Sequence, residues 1–343
     1  MDNTGNIKCI CICGGGSLGL VCAGVFVSKG IKVNILSGHP EKWNNNILVV
    51  DKVGKEYRGE ISKISSNPAE VISGSDLILL TQPGFLLEST LKQIKPFLKD
   101  GAIVGSVVSS TGFFFFAHKI LGKTHPLFGF QRVPFIARQK EYGHIGELLG
   151  YKPSLNVAIE YTDKTDKLIN ILSYLFDTPI NLLNSFYEAS LTNSNPILHT
   201  GRLYSLWANY HGDRYEKPIL FYEEWTDEAS DYLIAMDKEF QSLLRVLNIP
   251  EGVIPTLLDY YESSNASELT KKIKSIEAFK GIPAPMIEVS DSWIPDFSSR
   301  YFTEDFPFGL RFIKDLAEKN NVDTPIINKV FTWGKSVLKE GLN

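Results

Sequence analysis

Two groups of residues in this chain could carry chemistry, one in each half. Near the start, Gly14-Gly15-Gly16-Ser17-Leu18-Gly19 follows an alternating apolar segment, residues 7–13, and opens a helix-compatible stretch that runs to Lys29-Gly30. Strand, glycine turn and helix in that order cradle a dinucleotide. Gly14 allows the tight turn, Gly16 lets backbone approach a pyrophosphate, and Gly19 lets the helix pack closely on the sheet. The pyrophosphate then rests on the free N–H groups of the helix start, around Ser17 and Leu18. In the second half, Asn195 and His199 stand four apart on one helix face, and Pro196 begins or kinks that helix. His199 is the histidine, of six, with a polar partner one turn away, and an imidazole titrates where protons must move near neutral pH. Asp305, before Phe306-Pro307, could take the imidazole N–H and fix its tautomer. Spacing alone does not separate that pairing from a satisfied core histidine, and His211 with Asp213 is a rival base.

The second apolar strand, residues 31–36, ends in Ser37-Gly38-His39-Pro40-Glu41-Lys42. An NAD site of this type places a carboxylate near the strand end to bond the ribose 2′-hydroxyl. None stands directly there. Ser37, His39 and Lys42 could instead accept a 2′-phosphate, which favours NADP, while Glu41 keeps NAD open. A buried strand within residues 75–83 stops at Gln82-Pro83, so these two join the same ligand edge.

The elements that must position these groups follow from hydrophobic patterning. Apolar runs at 101–108, 127–136, 155–161 and 178–183 continue the strands, with a helix over 86–98 and another at Phe113–Phe116 capped by Ser110 or Thr111. Strands alternating with helices imply an α/β, doubly wound Rossmann-type parallel sheet. Beyond residue 185 the spacing turns helical over 191–210, 226–247, 268–279, 309–318 and 326–338, the last entered through a Thr324 cap and Pro325. The expected domains are therefore 1–185, binding the dinucleotide, and 186–343, an all-helical substrate domain. Cys9, Cys11 and Cys13 fall on one strand face and no metal-ligand spacing accompanies them, so they read as small buried side chains in a reducing cytoplasm. Residues 9–27 carry no charge over about the length of a membrane span, but the glycines and the strand-like alternation argue against one. A net charge of -4 gives no electrostatic reason to expect nucleic acid or an anionic membrane as partner.

The glycine turn, the segment 39–43 (His-Pro-Glu-Lys-Trp), the segment from Asn195 to His199 and residues 300–310 together resemble the octopine and opine dehydrogenase family. The resemblance spans nearly the whole chain. It implies a nucleotide domain followed by a helical one, with a histidine and an aspartate as the catalytic pair at the cleft between them. These roles fall on His199 as proton donor and acceptor and on Asp305 as its partner. Arg300, five residues before Asp305, would grip a substrate carboxylate through two parallel hydrogen bonds. The implied reaction joins an amino acid's amino group to a 2-oxo acid such as pyruvate and reduces the imine with NAD(P)H. Asn195 would orient the carbonyl or the nicotinamide amide, or cap its helix. Trp207, Tyr210, Trp225 and Trp293 are candidates for the donor pocket, or simply core. The expected assembly is a monomer or homodimer.

Two other functions fit the same nucleotide domain. A ketopantoate or 3-hydroxyacid reductase resembles it but uses a lysine on the first helix of the second domain, and this chain has none between Lys167 and Lys217. A nucleotide-sensing protein would bind cofactor without turnover.

Overall fold

Five consecutive buried residues form the first strand, β1 (Cys9–Cys13), whose edges pair in parallel with β2 (Lys32–Leu36) and β6 (Leu77–Leu80). This computed structural model describes residues 7–340. The strand starts later than its apolar run because Asp76 takes the N–H groups of Lys8 and Cys9, at 2.7 and 2.8 Å. The chain divides after Ser190 into two compact units.

The main sheet of the first unit is completed by β5 (Lys63–Ser65), β7 (Ile103–Ser106), β8 (Leu127–Phe130), β11 (Leu155–Glu160) and β12 (Ile180–Leu182). Their order across the sheet is β12-β11-β8-β7-β6-β1-β2-β5. Counting only its six parallel strands in chain order gives 3-2-1-4-5-6, the doubly wound dinucleotide order, with β11 antiparallel to β8. The reversal lies between β1 and β6, where Gly14 and Thr81 leave the sheet. The helices of this unit are α1 (Ser17–Ser28), α2 (Pro68–Val71), α3 (Gly84–Ile94), α4 (Phe113–Leu121) and α5 (Thr165–Phe176). The cap expected at Ser110 or Thr111 is not made. Gly112 caps α4 at φ 92°, and the Thr111 hydroxyl turns back to the Val108 carbonyl.

Hydrophobic patterning missed a second sheet, β4 (Glu56–Glu60), β3 (Asn46–Asp51), β10 (Ile145–Tyr151) and β9 (Phe135–Glu141), in that order. Two hairpins far apart in sequence join through the parallel pair β3–β10. This sheet covers the face of α1 that the main sheet leaves open. A Cβ on Gly24 would lie 2.5 Å from Val49, and one on Gly59 2.6 Å from Val27. Residues Gly19 to Phe26 are consequently buried on every side. A helix wrapped on all faces has no polar stripe, which explains the uncharged run at 9–27. Among the described residues no helix is long and apolar enough to cross a membrane.

Helix α6 (Phe186–Leu191) crosses the division. The second unit holds α7 (Asn195–Trp207), α8 (Asp227–Val246), α9 (Leu257–Tyr260), α10 (Ala266–Ser275), α11 (Arg300–Thr303), α12 (Arg311–Lys319) and α13 (Pro325–Glu340). Among its described residues the regular structure is helical apart from one hairpin, β13 (Met286–Val289) with β14 (Ser292–Pro295), and two isolated bridges, Tyr215 to Trp293 and Leu220 to Pro283. Ser290 and Asp291 take φ of 50° and 58°, the two positive values a tight two-residue turn demands. Neither is glycine, so the usual turn signature was absent. Thr324 is not the working cap of α13. Its hydroxyl has no protein partner, and Glu239 of α8 instead accepts the N–H groups of Ile326 and Ile327 at 2.8 and 2.9 Å.

One buried carboxylate in this unit yields a stability prediction. Asp237, 6 % exposed, accepts the Leu257 N–H at 2.9 Å, yet burial pushes its carboxyl up to about 6. The folded state then binds more protons than the unfolded chain between about pH 4 and pH 6. Stability contributed by the neutral acid is present below that window and lost as pH rises through it. Asp237→Asn keeps an acceptor without the charge. It should stabilise the protein by about 1–3 kcal/mol at pH 7.5 and change little at pH 4, as read in urea melts at both pH values.

Candidate active site

The glycine turn is built by exclusion of side chains. Gly14 has φ 127°, and a Cβ there would stand 2.6 Å from Thr81 Oγ1. On Gly19 it would stand 2.1 Å from the Gly14 carbonyl oxygen, so α1 is seated against its own entry turn. On Gly16 it would meet nothing within 4 Å. Gly16 is also the helix cap, exposed, extended, and without a side-chain hydrogen bond to the N–H groups that follow. Half-buried Ser17 and Leu18 lead that first turn. Open space over uncapped N–H groups suits an incoming pyrophosphate.

Around this turn the ends of β1, β2 and β6 meet, as Gly14 donates to Leu36 O and Thr81 to Cys13 O, both at 3.0 Å. Gln82 follows with its buried Oε1 unpartnered, and Pro83 caps α3. Ser37 is buried and its hydroxyl accepts the His39 N–H at 3.1 Å. His39 and Lys42 are exposed, and His39 lies 3.4 Å from Glu41. Sequence reasoning missed Gln139 and Tyr142, because both belong to the second sheet and its turn. Gln139 donates to Gly15 O at 3.3 Å. The Tyr142 hydroxyl is 3.4 Å from Ser37 Oγ, and the buried Trp43 indole N–H is unpartnered beside Gly15.

In the second unit Pro196 begins α7, and the Ser194 carbonyl accepts from Ile197 and Leu198. His199 follows one turn on. Its Nδ1 lies 2.8 Å from Asp305 Oδ2 and its Nε2 3.1 Å from the Tyr222 hydroxyl, with side chains of His199 and Asp305 12 % and 20 % exposed. A carboxylate only accepts, so Nδ1 carries the proton and Nε2 of the neutral ring accepts from Tyr222. Asp305 is delivered by α11 and the π-helical turn Phe306–Leu310. That turn can press on α7 because residue 309 is glycine: a Cβ there would lie 2.6 Å from Pro196 Cγ. The contact between Gly309 and Pro196 thus brings the two distant halves of the pair within reach.

Not every expected residue joins the pair. Arg300 is 82 % exposed and forks onto Glu304 at 3.0 and 3.2 Å, which holds its guanidinium above the usual arginine range. Asn195 is exposed and does not cap α7. His211 and Asp213 are exposed. Trp207 and Trp225 are buried core rather than pocket lining, while Tyr210 and Trp293 are half-buried. Tyr222, Tyr301 and Arg202 were not anticipated. Tyr301 sets its ring 4.5 Å from that of His199. Arg202, 1 % exposed, bonds the carbonyls of Phe221 and Glu224 at 3.1 and 2.6 Å and lies over Trp225, so α7 clamps the segment bearing Tyr222. Burial lowers this guanidinium to about 10. A lone arginine inside a helix pattern gives no sequence signal of that role.

Residues 182–338 match the α-helical domain of NAD/NADP octopine/nopaline dehydrogenase, and residues 10–145 match ketopantoate reductase. Octopine dehydrogenase of Mizuhopecten yessoensis is 27 % identical over 97 % of this chain and 92 % of its own length. From end to end the chain is similar to octopine and opine dehydrogenases. Tauropine dehydrogenase of Arabella iricolor is likewise 27 % identical, over 95 % of this chain and 90 % of its own. A solved octopine dehydrogenase with NADH and L-arginine superposes at a TM-score of 0.84 with 26 % identity, covering 96 % of this chain and 89 % of that one. The same enzyme has been solved with NADH and pyruvate. The family is one of nicotinamide-dependent oxidoreductases acting on CH–NH bonds, and the likeness to ketopantoate reductase in its family match is confined to the nucleotide-binding part.

Proposed function

We propose that this protein is an opine dehydrogenase that condenses an amino acid with a 2-oxo acid and reduces the product, using His199 and Asp305 as its acid–base pair. The observation that carries this reading is the 2.8 Å contact between His199 Nδ1 and Asp305 Oδ2, inside the stretch that matches the octopine/nopaline dehydrogenase helical domain. A dinucleotide fits the glycine turn, where Gly16 leaves room and the N–H groups of α1 are uncapped. Held there, it would supply the hydride.

Everything else falls to the chain's own side chains. His199 takes a proton from the substrate ammonium, freeing the amine to attack the 2-oxo carbon. The same proton returns to the carbinolamine hydroxyl, which leaves as water and generates the iminium to be reduced. The secondary amine then gains its proton from solvent. Asp305 keeps Nδ1 protonated and favours the imidazolium that forms between the two transfers. Arg300 would bind the 2-oxo carboxylate. Its exposed pairing with Glu304 is worth no more than about 1 kcal/mol, so a bidentate substrate can share or replace it. The neutral and basic donors Ser37, Tyr142, His39 and Lys42 favour NADP, with NAD the alternative if Glu41 leaves His39 for the ribose. The four buried cysteines, all free, suit a reducing compartment such as the cytoplasm.

The test is oxidation of NADPH and NADH with pyruvate and a panel of amino acids, with any secondary amine identified by mass. Oxidation by 2-oxo acid alone would point to a hydroxyacid enzyme. Nucleotide binding without turnover would point to a sensor. In the same assay Arg300→Lys should raise KM for the 2-oxo acid about 10-fold or more, since one ammonium replaces a two-bond fork. An unchanged KM removes Arg300 from the site.

A further inference from the structure

Both ring nitrogens of His199 are already bonded. Asp305 holds Nδ1 and Tyr222 holds Nε2. A proton reaching the imidazole must therefore cross the Tyr222 oxygen, unless that phenol swings aside. It is poorly placed to swing. Tyr222 is 5 % exposed, stacked on Phe279 at 4.1 Å and parallel to Trp225 at 6.1 Å, with the edge of Phe221 at 4.8 Å. Arg202 clamps the carbonyls on either side of it, those of Phe221 and Glu224. The phenol of Tyr301, half-buried and adjoining Arg300, lies close enough to Tyr222 to act on it electrostatically. Three groups thus form one hydrogen-bonded chain, Asp305, His199 and Tyr222, with Tyr301 beside its outer end.

We propose that Tyr222 is a positioning residue of this site, whose hydroxyl fixes the imidazole through Nε2 and is the atom across which His199 exchanges protons. A phenol hydroxyl suits both states of the ring, because it donates to the bare Nε2 and accepts once Nε2 is protonated. In the forward transfer, Tyr222 passes its own proton to Nε2 and receives one at its oxygen, from substrate or through Tyr301. The return to the leaving hydroxyl retraces these moves, so no net charge accumulates on the phenol. Burial holds the phenol well above its ordinary range, so it stays protonated in the resting chain. The ionisable groups facing this chain are Asp305, Arg300, Tyr301 and Tyr261. The inference rests on the acid–base reading of His199 given above.

Tyr222→Phe removes one oxygen and keeps the stacked ring, so the protein should fold with a nearly unchanged melting temperature. The expected result is a kcat at least 10-fold lower with KM for both substrates within about threefold. The 15N resonance of His199 Nε2 should move to that of an unbonded ring nitrogen while Nδ1 stays put. Tyr301→Phe, beside the outer end of the chain, should lower kcat without moving the Nε2 resonance. An unaltered kcat and Nε2 resonance in Tyr222→Phe overturn the inference. His199→Ala in the same assay separates the two ideas: if it is inactive while Tyr222→Phe is not, only the tyrosine role falls, and if it is fully active both fall.

Discussion

His199→Ala is expected to lower kcat by roughly 10²- to 10⁴-fold, the usual range for losing a positioned acid–base group. The reaction needs one group that accepts a proton from an ammonium and returns it to a hydroxyl, so both amine addition and water loss should slow. Nucleotide binding should survive, because the glycine turn lies in the other unit. Asp305→Asn provides a matched arm. The amide can present an N–H to Nδ1, favouring the wrong tautomer at nearly constant volume, and should cost activity on a similar scale. Single-turnover and steady-state rates with pyruvate and the best amine donor provide the measurement. A kcat within threefold of the parent in both variants would remove the pair from the mechanism.

Gly19→Ala is expected to abolish measurable nucleotide binding and to destabilise the protein by about 3 kcal/mol, the upper part of the range for forced overpacking. The added Cβ would lie 2.1 Å from the Gly14 carbonyl oxygen. A Cβ has no rotamer with which to escape, and the atom it meets is backbone. Either the entry turn or the seating of α1 between its two sheets must give way. Gly16→Ala isolates the other function of the turn. Its Cβ meets open space and its φ of -78° is ordinary, so folding should be unaffected while dinucleotide affinity falls. Thermal melts together with NADH and NADPH fluorescence titrations distinguish the two. Equal melting temperatures for Gly19→Ala and the parent would show that the contact is not structural.

The parts of this molecule that were legible in its sequence are those whose cause is local. A glycine that must take φ 127°, or leave room for a carbonyl, stands out wherever it occurs. The alternation of short apolar runs with helical spacing likewise reports a parallel sheet before any strand has been paired. Caps were less legible. Thr324 sits where a cap belongs, but Glu239 reaches across from another helix to do the work. The second sheet left only a negative trace, the missing polar face of α1, which sequence alone could not tell from a membrane-length run. Its strands are short and partly polar, as in Glu56–Glu60, and two of them pair across nearly a hundred residues.

By itself, then, the order of residues determined a nucleotide cradle, a helical second half and an inventory of groups able to move protons or hold a carboxylate. Which of those groups lie together was decided by packing. Gly309 had to meet Pro196 before Asp305 could reach His199, and the Arg202 clamp had to hold the 221–224 segment before Tyr222 could occupy the far nitrogen. Hydrogen bonds depend on tenths of an ångström between residues that no local spacing relates, so only the folded chain selects them.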